Sequence, residues 1–248
     1  MAQHTDPHAS VTAVMPAWNE ADSITRVIEG LQQAGIDSIV VGDNASTDAT
    51  AQVAAAAGAT VVPVPQRGYG SACQGALAAL PPGCRTVLFC DADGADDLKR
   101  IPALVAPVLR GEIDLHVGSR ARGRCQRGAL SFPQRVGNVV CATLMRWLYG
   151  QRVSDLGPFR CIDRTALERL HMSDPDFGWT AEMQVKAFRL GLRYAELPVD
   201  AKCRIAGTSK ISGKLLVGLQ AGWIIIRTIL RHHRRPLEPD ACSAPSAS

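Results

Sequence analysis

Four short apolar runs, at residues 11–15, 38–41, 60–64 and 87–90, each lead into a polar turn, and helix-forming stretches separate them. Alternation of this kind implies a parallel sheet whose crossovers are helices packed on its faces. The separating stretches carry their own signals. Ile24, Val27, Ile28 and Leu31 recur at the helical period, Asp22 or Ser23 can cap them, and Gly35 stops them. An alanine-rich run at 49–57 is closed by Gly58. Gly68-Tyr69-Gly70-Ser71 opens a further helix to about Leu80, which Pro81-Pro82-Gly83 breaks.

The fourth run is the most informative. Val87-Leu88-Phe89-Cys90 passes straight into Asp91-Ala92-Asp93-Gly94-Ala95-Asp96-Asp97. An uninterrupted apolar run reads as a strand buried on both faces. Its carboxyl end is where open α/β sheets bind ligands. Residues two apart in extended chain point the same way, so Asp91 and Asp93 can converge across the small Ala92. Two hard oxygen ligands suit Mg²⁺ or Mn²⁺ carrying a substrate diphosphate. The competing reading of so short a motif is a solvated acidic turn that caps the next helix.

Glu20 and Asp43 also fall at strand ends. Carboxylates gathered on one edge repel one another unless a cation or hydrogen-bond donors lie between them. A nucleotide with a divalent metal meets that need. Two other nucleotide folds are disfavoured. The turn after the first strand, Pro16-Ala17-Trp18-Asn19-Glu20, has no glycine and so lacks the dinucleotide fingerprint, and no Gly-Lys-Ser/Thr phosphate loop exists.

The net charge of +4 is unevenly spread. Arg120, Arg122, Arg124, Arg127 and Arg135 crowd one segment, and Arg227, Arg231, Arg234 and Arg235 another. Such clusters serve nucleic acid, an anionic small substrate or a lipid surface alike. The eight cysteines form no Cys-x-x-Cys pair, and the N-terminus carries no secretory signal. Reduced thiols in a cytoplasm are therefore expected, with Cys90 and Cys141 as core fillers.

Seven motifs, in order and spacing, resemble the family 2 glycosyltransferases of GT-A fold, and within them the polyprenyl (dolichyl) phosphate sugar transferases. They are Pro16-Ala17-Trp18-Asn19-Glu20, Asp43-Asn44-Ala45-Ser46-Thr47-Asp48, Asp91-Ala92-Asp93, Gly118-Ser119-Arg120 with Arg135 and Asn138, Asp155-Leu156-Gly157-Pro158-Phe159-Arg160, Phe177-Gly178-Trp179-Thr180-Ala181-Glu182-Met183 and Arg204-Ile205-Ala206-Gly207-Thr208-Ser209-Lys210. The resemblance implies a Rossmann-like, mainly parallel mixed sheet flanked by helices. It also implies a nucleotide-sugar donor, Mg²⁺ or Mn²⁺, a lipid-phosphate acceptor rather than nucleic acid, and inversion at the anomeric carbon.

Carried over, Pro16, Trp18, Glu20 and Asp43 would line the base and ribose pocket, although Trp18 equally suits a core. Asp91, Ala92 and Asp93 would meet the donor diphosphate, with the two aspartates on the metal. Arg120 would face donor phosphates, and Arg135, Arg204 and Lys210 acceptor phosphates, the planar guanidinium being suited to bidentate binding. A solvated basic surface is the plainer account of Arg120 and Arg135. Arg122, Arg124 and Arg127 are read as a loop that orders over substrate. Asp155 is the candidate base for a hydroxyl acceptor, and otherwise orients Arg135 or a turn.

The expected organisation is a disordered N-terminus at 1–10, the GT-A domain at 11–210, an amphipathic helix at 211–235 and a disordered tail at 236–248. The apolar run at 215–226 is short of the ~20 residues a spanning helix needs. It suits a helix in the membrane interface with its basic end on anionic lipid, or one docked on the domain. A peripheral place on the inner face of the membrane is one expectation. A sugar nucleotidyltransferase is the alternative from another class, but its glycine-rich N-terminal loop is missing.

Overall fold

The computed structural model describes residues 10–205 and 215–234. The strands are β1 (Val11–Ala17), β2 (Ser38–Asp43), β3 (Thr60–Pro63), β4 (Thr86–Phe89), β5 (Leu115–Ser119), β6 (Arg160–Asp163) and β7 (Tyr194–Pro198). The helices are α1 (Ile24–Gln33), α2 (Thr50–Ala56), α3 (Tyr69–Leu77), α4 (Ile101–Leu109), α5 (Phe132–Tyr149), α6 (Arg164–Arg169), α7 (Trp179–Arg189) and α8 (Leu215–Arg234). They build one sheet of order β3-β2-β1-β4-β6-β5-β7. All neighbours run parallel except β6, which is antiparallel to both β4 and β5. The GT-A expectation of a mainly parallel, Rossmann-like sheet therefore holds.

Alternation along the strands sorts the core. Leu88 and Cys90 face α1 and α4 with Met15 and Val41, while Val87 and Phe89 face α3 and α7 with Val14 and Trp179. Both faces of β4 are thus covered, as its unbroken apolar run requires. Gly42 has a steric reason to be there: a Cβ would come within 2.2 Å of the Ala72 carbonyl, so only glycine lets α3 lie this close to β2.

A third apolar cluster joins α5, α7 and α8 through Cys141, Met145, Val185 and Ile229. Cys90 and Cys141 are buried as expected. The helix runs on past the short apolar segment to Arg234, and it docks on the domain. Tyr149 Oη donates to the Ile229 carbonyl at 2.8 Å, and Thr228 Oγ1 to Asp174 Oδ2 at 3.2 Å. No helix among the described residues is long and apolar enough to cross a membrane. The termini expected to be disordered lie outside the described residues, apart from Ser10.

Candidate active site

The carboxyl ends of β1, β2, β4 and β5 share one edge of the sheet. The β1 and β2 turns are bolted together there. Asn19, at φ 53°, accepts from Thr47 N at 2.8 Å, and Glu20 N donates to Thr50 Oγ1 at 2.8 Å. Asn44 fixes the third turn by donating to the Gln66 carbonyl at 2.7 Å and accepting from Gly68 N at 2.8 Å. Asp43 is left buried, with Oδ1 lacking any protein partner. A buried acceptor without a donor costs about 1–3 kcal/mol, so this oxygen is suited to a ligand N–H. Trp18 is exposed at the rim rather than in the core, with the Arg67 guanidinium 4.2 Å above its ring. Arg67 escaped the sequence reading because it sits in a loop with no recognisable spacing.

At the end of β4 the chain bends. Asp91 and Asp93 lie in a turn, not in extended chain, so their convergence is made by hydrogen bonds instead of by strand alternation. Asp93 Oδ1 accepts from Ala95 N at 2.9 Å, and the Asp91 N–H donates to Asp96 Oδ2 at 2.8 Å. Tyr69 Oη donates to Asp91 Oδ1 at 3.1 Å. Burial, and then the neighbouring Asp93 carboxylate, push Asp91 up from 3.8 to about 7. Burial and Asp91 likewise raise Asp96. Tyr69 and Asp96 join the candidate site through their bonds to Asp91, and neither was singled out from the sequence, although Asp96 stands in the same acidic run.

The residues after β7 close over this turn. Arg204 Nη2 lies 3.0 Å from Asp93 Oδ2 and Nη1 3.4 Å from Glu20 Oε1, while Ile205 N donates to the Asp93 carbonyl at 3.0 Å. Lys202 pairs with Asp97 at 2.8 Å. Arg204 therefore bridges the carboxylates that follow β1 and β4. Lys210 lies outside the described residues.

Arg120 follows β5 and is gripped by the buried Asp155. Oδ2 accepts from Arg120 N at 2.7 Å and from Nε at 2.9 Å, and Oδ1 from Nη2 at 2.8 Å. Burial alone would raise Asp155, but the Arg120 guanidinium outweighs it and holds the carboxyl below its usual range. The partner of Asp155 is thus Arg120 and not Arg135. Arg135 points from α5 toward Cys125, with Nη2 3.8 Å from Sγ, and is exposed. Its loop neighbours are stitched to the segment around β7: Arg124 N donates to Asp200 Oδ1 at 2.9 Å and Arg122 Nη1 to the Glu196 carbonyl at 3.2 Å.

No group of three or more His, Cys, Asp or Glu among the described residues could hold a metal. Asp91 and Asp93 fit a partial ligand set for a hard cation that takes its remaining oxygens from a diphosphate and water. Burial, and then the Asp93 carboxylate, disfavour a charged Asp91, and the Arg204 and Arg120 guanidiniums offset part of that cost.

A mixed sheet with its acidic residues at one carboxyl edge, a two-carboxylate turn and a fixed arginine nearby fits a glycosyltransferase of the GT-A type. The chain belongs to glycosyl transferase family 2, whose profile matches residues 12–170. An uncharacterised glycosyltransferase of Mycobacterium tuberculosis is 39% identical over 223 residues, covering 88% of this chain and 98% of that protein. The low-salt glycan biosynthesis hexosyltransferase Agl6 of Haloferax volcanii is 29% identical over 205 residues, 80% of this chain but 49% of Agl6. Among solved structures, glucosyl-3-phosphoglycerate synthase of M. tuberculosis, in complex with Mn²⁺, UDP-glucose and phosphoglyceric acid, superposes with a TM-score of 0.73 at 25% identity. The match covers 93% of this chain and 83% of the synthase.

Proposed function

We propose that this hexosyltransferase moves a sugar, with inversion, from a UDP- or GDP-sugar to a polyprenyl-phosphate-type acceptor at the inner surface of the membrane. The observation that carries the acceptor is on α5. This helix begins where the arginine loop ends, and its outer face exposes Phe132, Val136, Val139, Val140 and Trp147. The neighbouring α8 adds exposed Trp223 and Leu230 beside Arg227 and Arg231. Neither helix contains a carboxylate. Contiguous exposed apolar surface marks an interaction site, and arginines with tryptophans suit an anionic lipid interface.

Asp43 would receive an N–H of the donor base, with Trp18 and Pro16 beside the base and Glu20 beside the ribose. Asp91 and Asp93 would hold Mg²⁺ or Mn²⁺, which neutralises diphosphate charge when bound. M. tuberculosis glucosyl-3-phosphoglycerate synthase has been crystallised with either ion and UDP, which supports this assignment. Arg120 is held rigid where charge develops on the departing diphosphate, so it stabilises that charge without reorganising. Arg204 would exchange its carboxylate partners for phosphate, with Lys210 and Arg135 on the acceptor side. An acceptor phosphate is already anionic and attacks without a strong base. Asp155, held low by Arg120, is better suited to orienting that guanidinium than to taking a proton.

A soluble hydroxyl acceptor is the second reading, favoured by the phosphoglyceric acid bound in the synthase structures. Mass spectrometry of the protein with UDP-glucose, UDP-galactose or GDP-mannose, against polyprenyl phosphate or 3-phosphoglycerate, separates the two. Glycosyl polyprenyl phosphate is the expected product. Flotation with phosphatidylglycerol vesicles should be lost in Val139→Asp, whose site is exposed and whose folding should be unaffected. A glycosylated phosphoglycerate, or flotation unchanged by Val139→Asp, would overturn the lipid assignment.

A further inference from the structure

Arg160 is a fully buried charge, with 1% of its surface exposed, and no carboxylate among the described residues forms an ion pair with it. Its donors all go to backbone carbonyls. Nη1 donates to Thr180 O at 2.9 Å, Nε to Gly157 O at 3.2 Å, and Nη2 to Leu156 O at 3.3 Å as well as to Gly157 O. Burying a guanidinium with carbonyls as its only hydrogen-bond partners is costly, and here all of its donors are spent around one loop. The arrangement calls for another explanation.

Two of the three carbonyls it grips, those of Leu156 and Gly157, belong to the residues that directly follow Asp155, and the third, Thr180 O, ties them to the start of α7. The Leu156-Gly157 peptide is pressed against the Arg120 pair: a Cβ on Gly157 would lie 3.2 Å from Arg120 Nε and 3.4 Å from Asp155 Oδ2. Two further side chains converge on the same loop. Gln184 Nε2 donates to the Asp155 carbonyl at 3.0 Å, and Asn138 Oδ1 accepts from Leu156 N at 3.0 Å. The loop is thus fixed from α5, β6 and α7 at once, and the side chain it presents is the carboxylate that forks Arg120.

We propose that Arg160 is a positioning residue for sugar transfer: it clamps the 155–157 loop so that Asp155 holds the Arg120 guanidinium in one orientation toward substrate phosphate. This rests on the reading that Arg120 meets phosphate in the reaction. Arg160 touches no substrate and acts only through that loop. A lysine at this position keeps the charge but cannot reach three carbonyls in a plane.

A double-mutant cycle tests it, using Arg120→Gln, Arg160→Met, Arg160→Lys and the combinations, with the nucleotide sugar and acceptor turned over by the wild type. Residues coupled through one network depart from additivity. Arg160→Met should lower kcat at least about tenfold, at a temperature well below its melting point, while weakening UDP binding in calorimetry no more than Arg120→Gln does. Arg160→Lys should recover part of that loss. In the Arg120→Gln background the same change should lower kcat less than about twofold. The Arg120 Nε–H resonance, which its bond to Asp155 should make slow to exchange in the wild type, should broaden in Arg160→Lys. Losses that multiply, or an unaltered Arg120 resonance with full turnover, would overturn the proposal. Should Arg160→Met not fold, the Lys cycle and the resonance decide alone. If Arg120→Gln by itself leaves turnover intact, it is the reading of Arg120 that fails.

Discussion

Replacing Asp91 by Asn should stabilise the metal-free protein while abolishing its turnover. In the folded chain Asp91 stands at about 7 because of burial and then of Asp93. In the unfolded chain it keeps the ordinary value of 3.8. Between those two values the folded protein holds a proton that the unfolded chain has released. Raising the pH through this window therefore weakens the fold, and above about 7 the loss from this group is complete. Asparagine mimics the protonated acid and can still accept from Tyr69 Oη. At about 1.4 kcal/mol per pKa unit the gain at pH 8 has a ceiling of ~4 kcal/mol. Asp91 is only half-buried by exposed area, and solvent at its open edge brings the expected gain to ~1–2 kcal/mol. Urea unfolding after chelation, at pH 4, 6 and 8, measures it. The gain should be near zero at pH 4 and largest at pH 8, and Mn²⁺ should add less stability to the variant than to the wild type. A variant less stable than wild type at pH 8, or stabilised equally at every pH, would refute the electrostatic account.

The Arg120–Asp155 pair should act in the opposite direction. Asp155 sits below its ordinary value, so its contribution is present above about pH 4 and lost as acid protonates it in the folded state. Arg120→Gln should remove that acid-labile contribution, read as a flatter stability profile between pH 2 and 5 in urea unfolding. Asp43→Ala should weaken UDP or GDP binding by about 1–3 kcal/mol in calorimetry, since the orphaned oxygen is then no longer there for the base. Equal affinity of mutant and wild type would move the base elsewhere.

The left half of the sheet was legible because each strand there is a continuous apolar run and each crossover has a helical period or a breaker. The edge carboxylates followed from their positions after those runs. The right half was not. β6 is four residues long and begins with a buried arginine, so neither alternation nor propensity marks it as a central strand. Its antiparallel placement between β4 and β5 depends on long-range pairing that no local pattern records. The partner of Asp155 was missed for a related reason. Arg120 and Arg135 are both arginines of one basic segment, and only the pairing of β5 with β6 decides which of them reaches the loop. The bend at Asp91 was misread because a strand's apolar run shows where burial ends, not whether the chain stays extended.

That inserted strand also sets the reach of the site. β4 and β5 point the same way with β6 between them, so Asp91 and Arg120 emerge from strands two spacings apart. Neighbouring strands lie ~4.8 Å apart, which separates the two ends by about 10 Å. On the proposed reading the donor diphosphate bridges this gap, with its metal-bound oxygens on the carboxylate turn and its remaining oxygens toward Arg120. Arg204, coming from the segment after β7, lies on the other side of β4, where it bridges Asp93 and Glu20. Its guanidinium must release at least one carboxylate before it can meet a phosphate. On the proposed reading of Arg204, donor binding is therefore coupled to a shift of the segment at 202–205, which the Lys202–Asp97 pair and the Ile205 N–H bond to the Asp93 carbonyl hold in place.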